Sequence, residues 1–303
     1  MNDRPKTSVK TLSPPTAFFG GADLKNFLLA TAALVAAFSL PLLALARYSF
    51  HNDLYSHALL IPLISLYLVW QNRSRLPGSA PPDYRLAVAP LIAGGALLAI
   101  RFTNSLGPED NLAFTILALV ALFWAICALF IGRHTLRAIV FPLGFLVFMA
   151  PFPTAVMRWI ETALQHSSAS AAYLFFTAAR TTVFKEDTFF QLPGMKLFVA
   201  PECSGIHSTL ALFITSLLAG YFFLQSPAKR AVLALIVIPL AIIRNGVRIF
   251  VIGELCVHVG PQMIDSYIHR HGGPIFFALS LLPFFLILWL LMKSERRLTP
   301  ARR

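Results

Sequence analysis

LAFTILALVALFWAICALFI, residues 112–131, runs for twenty residues without one charged side chain. At ~1.5 Å of rise per residue, a helix of that length crosses the ~30 Å hydrocarbon core of a bilayer. Similar runs recur on both sides of it. Candidate spans lie at 27–46, 57–71, 86–100, 138–152, 208–225, 231–252 and 274–292, which with 112–131 makes eight. The composition agrees: 57% of the 303 residues are hydrophobic, 13% are charged, and the mean hydropathy is +0.71. A soluble domain carries roughly 25% charged residues. The expected fold class is an all-α polytopic membrane protein of about eight transmembrane helices.

The net charge of +12 then needs an explanation. Threading the eight spans alternately puts the N-terminus, the loops near 72–85, 132–137 and 226–230, and the C-terminal tail on one side. That side holds 16 Lys/Arg and 4 Asp/Glu, whereas the other holds 9 of each. The positive-inside bias assigns both termini to the cytoplasm. Topology accounts for the whole excess, so nucleic acid is not an expected partner. Residues 1–26 are expected as a flexible cytoplasmic lead without a cleavable signal peptide, 27–292 as one multi-span membrane domain, and 293–303 as a basic cytoplasmic tail. No internal repeat is visible.

Residues 153–207 form the one sizeable polar region, expected on the outer face. TAVMRWIETALQHSSASAAYLFFTAAR has apolar residues at helical spacing, interrupted by Arg158, Glu161, Gln165 and His166. It fits an amphipathic interfacial helix, a re-entrant pair, or a helix buried among the spans. KEDTFFQLPGMKLFVAPEC alternates around Pro193-Gly194 and predicts a small β-hairpin leading to Cys203.

Ser204, Gly205, His207, Ser208 and Thr209 follow Cys203, just ahead of an apolar span. Small polar residues there signal a helix start, so Cys203 is expected at the outer N-terminus of the sixth helix. Free amide N–H groups and the helix dipole favour a thiolate in that setting. The plain alternative is a small buried filler. The seventh span carries Arg244 and Arg248 four apart, hence on one side of a helix near its outer end. They either face a polar cavity or snorkel to the interface. The next loop holds Glu254, His258, Asp265, His269 and His271. A thiol, a guanidinium and an imidazole converging on one face suit acyl transfer: the thiolate attacks a carbonyl, the imidazole moves the proton, and the guanidinium stabilises the oxyanion. Two competing readings are a zinc site, from His269, His271 and Asp265 or from Cys203 and His207, and a Cys203–Cys256 disulfide. No HExxH or paired CxxC supports the metal, so neither a metal nor a cofactor is expected.

The ordered set of motifs resembles the exosortase/archaeosortase family of polytopic cysteine transpeptidases. PECSGIHS at 201–208 is similar to the family's Cys-Ser-Gly-Ile-Arg-Ser signature, NGVR at 245–248 to its Asn-x-x-Arg, and HRHGG at 269–273 to its His followed four residues later by Gly. YSHALLIPLISLYLVWQNR at 55–73 resembles the N-terminal signature, and LPGMKLFVAPEC the approach to the nucleophile. The resemblance covers about residues 45–292. It implies an enzyme of a bacterial inner membrane that cleaves a C-terminal sorting signal at the periplasmic face. Such a signal has a Pro-Glu-Pro-like motif, one membrane helix and a basic cluster. A cysteine thioester then passes the protein to an acceptor or to water. It implies Cys203 as nucleophile, Arg248 as the stabilising cation and His269 as acid/base. Ser204, Gly205, His207, Arg244, Asn245, His271 and His57 are supporting candidates. Asn245 is expected to anchor helix packing and His57 to cap the second span or orient substrate. His207 stands where many members have Arg. The expected partners are membrane-anchored protein substrates and the bilayer. The rival functions are a transporter for an anion or lipid-linked group, and a non-enzymatic factor in exopolysaccharide export.

Overall fold

A computed structural model of the chain describes residues 21–73, 83–265 and 272–298, the side chains of 21–23, 202–203, 264–265 and 297–298 excepted. The fold is helical with one small sheet. Among the described residues six helices are long and apolar enough to cross a membrane, or up to eight if each of two bent pairs counts as one span. The chain divides into two compact units, Met1–Thr154 and Ala155–Arg303.

The first unit contains α1 (Gly21–Ala37), α2 (Ser39–His51), α3 (Leu60–Gln71), α4 (Arg85–Thr103), α5 (Pro108–Phe130), α6 (Arg133–Ala138) and α7 (Val140–Phe145). The 112–131 run becomes α5, against which α1, α2 and α4 pack. Pro108 opens it at the first helical position, where no N–H is needed, and Glu109 and Asp110 complement the dipole in its first turn. The expected span 27–46 is broken into α1 and α2, bent by 63°. Pro41 explains the break: its ring collides with the carbonyl four residues back, that of Ala37, where α1 stops. The expected span 138–152 is likewise not one helix. Pro142 bears on the Ala138 carbonyl, where α6 stops, and α7 gives way to a 3-10 turn at Leu146–Met149.

The second unit holds α8 (Thr154–Ala178, entering from the first unit by one residue), β1 (Phe184–Glu186), β2 (Phe189–Leu192), β3 (Met195–Phe198), α9 (Ile206–Phe223), α10 (Pro227–His258) and α11 (Gly273–Leu298). Residues 154–178 form a single helix, α8, of 25 residues, with no break inside the segment. Leu164, Gln165, Ser168, Ala169, Ala172 and Phe176 form its buried stripe at helical spacing. It packs closely on α10, where a Cβ on Gly246 would lie 2.7 Å from that of Ala171.

The expected hairpin is present and gains a third strand, giving an antiparallel meander in the order β1-β2-β3. Gly194, at φ +80°, follows Pro193 in the two-residue turn that pairs Leu192 with Met195. Phe190, Leu192 and Leu197 point inward onto Phe176 and Ile249. α9 and α10 are antiparallel neighbours whose turn is locked by α11: Glu295 accepts from the Gln225 and Ser226 N–H groups at 3.0 and 2.9 Å. α10 outruns the expected 231–252 at both ends and reaches 32 residues. Its C-terminal end stays helical because the sheet covers it, with Gly253 against Phe176 and Leu192.

Candidate active site

The chain entering the site is held at Val199. Its N–H donates to the Thr188 carbonyl at 3.0 Å, and its own carbonyl accepts from the buried Gln165 Nε2 at 2.6 Å. Pro201 then starts a 3-10 turn, Pro201–Ser204, that carries the Cys203 backbone. Gly205, at φ +75°, links this turn to α9, which begins at Ile206. The expected placement of Cys203 just before the sixth long apolar run therefore agrees with the backbone.

Gly205 is where three segments meet. Its carbonyl accepts from the Thr209 N–H at 3.0 Å, Ser208 Oγ at 3.0 Å, Thr209 Oγ1 at 2.8 Å and Arg244 Nη2 at 3.3 Å. Arg244 Nη2 also donates to Thr209 Oγ1 at 3.3 Å. A Cβ on Gly205 would meet Arg244 Nη2 at 3.2 Å and Asn245 Oδ1 at 3.3 Å. Both the positive φ and the close approach therefore call for glycine here. Arg244 and Asn245 are only 8% and 2% exposed. Arg244 thus braces the turn from α10.

Arg248, one helical turn further along, does something different. With Asn245 it supplies the polar part of a small open cleft whose other lining residues are Leu197, Phe198, Val199, Ile249 and Ile252. A guanidinium against apolar walls interacts strongly with developing negative charge, because little water competes. Asn245, expected to serve packing, lies close against Gly205 and also lines this cleft.

The remaining candidates separate. Ser204 is buried, and its Oγ has no hydrogen-bond partner among the described residues. His207 is exposed on the first turn of α9. His258 is exposed and pairs with Glu254 at 3.0 Å, and Glu254 also accepts from Thr181 Oγ1. His57 belongs to the first unit. It sits in the turn before α3, where its carbonyl accepts from the Leu60 N–H at 2.9 Å. Its ring lies 6.4 Å from that of Tyr55. Cys256 is a free, buried thiol, because the phase of α10 turns it inward, and this removes the Cys203–Cys256 disulfide. His269 and His271 lie outside the described residues, as do the side chains of Cys203 and Asp265.

Gln165 was not among the expected site residues. The available signal was a neutral polar residue that the apolar stripe of α8 carries into the core, where an amide needs a partner. No curated protein and no solved structure matches the chain. The family model described as transmembrane exosortase matches residues 48–286, which cover α3 to α10, the whole sheet, Cys203, Arg248 and His269. Membership supports a membrane transpeptidase in general. The chain therefore belongs to the transmembrane exosortase family.

Proposed function

We propose that the chain is a cysteine-dependent transpeptidase or peptidase of a bacterial inner membrane, acting at the periplasmic face on C-terminal sorting signals of exported proteins. Cys203 attacks the scissile carbonyl, Arg248 stabilises the oxyanion, and His269 protonates the leaving amine and then activates the acceptor. The C–N bond breaks as the thioester forms. An acceptor nucleophile or water releases the product and restores the thiol. The observation that carries this reading is the division of labour between the arginines. Arg244 braces the Gly205 turn that follows Cys203, and Arg248 lines the cleft beside the same turn.

The dimensions support the assignment of faces. α9 has 18 residues, so Gly205 lies ~27 Å along the helix from the turn that carries Lys229 and Arg230. That distance is close to the ~30 Å hydrocarbon thickness of a bilayer. With the basic turn at the cytoplasmic boundary, the site falls at the opposite one, with both termini cytoplasmic. The substrate's own membrane helix then keeps its scissile bond near that boundary.

The test is processing, in membranes, of a reporter bearing a Pro-Glu-Pro-type motif, an apolar span and terminal arginines. The parent is compared with Cys203→Ala, Arg248→Ala and His269→Ala at matched protein levels. The expected result is loss of the shortened product without Cys203 and a strong reduction in the other two. Clipping that persists without Cys203 refutes the nucleophile. A parent that never clips moves the transporter or export-factor reading ahead.

A further inference from the structure

The cleft beside Arg248 is walled by β3 and α10, with no residue of β1 or β2 in its lining. β3 is the last strand of the sheet, so one of its edges carries no strand among the described residues. The register fixes which peptide groups face that edge. Leu192 and Met195 flank the two-residue turn as a hydrogen-bonded pair, and such pairs alternate along an antiparallel ladder. Phe190 and Leu197 form the next one. The Val199 N–H bonded to Thr188 marks the one after. Lys196 and Phe198 therefore aim their N–H and C=O groups away from β2. Their side chains are exposed, while those of Leu197 and Val199 turn into the core.

An open strand edge beside a groove is a template for an extended peptide: main-chain bonds give affinity, and side-chain pockets give selectivity. The lining states the selectivity. Leu197, Val199, Ile249 and Ile252 suit an aliphatic side chain, and Arg248 with Asn245 suits a carboxylate. A lipid headgroup could use the cation but has no alternating amides to match Lys196 and Phe198. We infer that an extended, acidic segment of the protein substrate adds to the edge of β3 away from β2 as a fourth strand, with its carboxylate on Asn245 and one side of the Arg248 fork, the other N–H groups of that fork being left for the oxyanion, and a neighbouring aliphatic side chain in the cleft. This rests on the transpeptidase reading. Cys203 lies four residues after Val199, at most ~14 Å of chain, so a strand held on β3 runs beside the nucleophile's turn.

The test uses the full chain carrying Cys203→Ala in phosphatidylcholine nanodiscs. The probe is the fluorescein-labelled heptapeptide Val-Thr-Val-Glu-Val-Thr-Val, followed by fluorescence anisotropy. Replacing its Glu by Gln should weaken binding about tenfold, as expected for loss of one charge-assisted pair. Arg248→Gln should erase that Glu/Gln discrimination, and Arg248→Lys should retain it. Single N-methylations should weaken binding at every second residue and leave the residues between unaffected, the signature of one strand edge. Absence of saturable binding, equal affinity for the Glu and Gln peptides, or indifference to N-methyl position each overturns the inference. So does complete displacement of the peptide when phosphatidylglycerol replaces phosphatidylcholine, which assigns the cleft to a lipid headgroup. Reporter processing reads the other claim separately. Clipping without peptide binding defeats strand addition alone, and binding without clipping by the parent defeats the transpeptidase reading alone.

Discussion

Gly205→Ala should damage the protein far more than the addition of one methyl group suggests. At φ +75° an L-residue costs about 1–2 kcal/mol relative to glycine. The new Cβ would also sit 3.2 Å from Arg244 Nη2 and 3.3 Å from Asn245, closer than ordinary van der Waals contact. Relief requires Arg244 to retreat by a few tenths of an ångström. Its 3.3 Å bond to the Gly205 carbonyl is already long, so this shift breaks it. A hydrogen bond to a charged group contributes about 1.5–3 kcal/mol. Strain and lost bond together give a destabilisation of about 2.5–5 kcal/mol, acting on the turn that carries Cys203. The assay is the unfolding midpoint of the purified chain in detergent, together with reporter processing in membranes. Gly95→Ala is the control, because nothing lies within 4 Å of its added Cβ. A Gly205→Ala chain with the parent's midpoint and processing would refute the reasoning.

Arg244→Lys should lower both the midpoint and processing, because an ammonium cannot bridge the Gly205 carbonyl and Thr209 Oγ1 as the planar fork does; Arg248→Lys should lower processing while leaving the midpoint near the parent's. Gly246→Leu should separate α8 from α10 and lower the midpoint by the equivalent of about 1–3 kcal/mol, read by thermal unfolding in detergent. Asp110→Ala should cost about 1–3 kcal/mol in the same assay, because Asp110 accepts from both the N–H and Oγ1 of Thr154 at 2.6 and 2.7 Å. Cys256→Ala should leave reporter processing unchanged, since its thiol is free and buried within α10; loss of processing at normal protein levels would contradict this.

The two sequence elements that deliver Cys203 are both local. The Pro193-Gly194 turn fixes the β2–β3 register, and the β3 strand and 3-10 turn then bring the chain to α9 by short-range geometry. This is why the hairpin and the helix start could be read from residues 185–209. The third strand was harder to read. Phe184–Glu186 is only three residues long and alternates too briefly to stand out, and pairing with β2 stabilises it.

Run length of apolar residues determined most of the architecture, because in hydrocarbon a backbone must satisfy its own hydrogen bonds and a long apolar run has no option but helix. The breaks at Ala37 and Ala138 were also written in the chain, as Pro41 and Pro142 four residues on, but a hydropathy run averages over them. Charge asymmetry set an expected orientation in the same way. The different duties of Arg244 and Arg248 were not legible, since residues at i and i+4 share a helix face and one spacing fits both roles. Only packing separated them. Gly205 meets α10 at Arg244, and β3 leaves a cleft at Arg248, because the α9–α10 turn and the sheet fix two different heights along one helix.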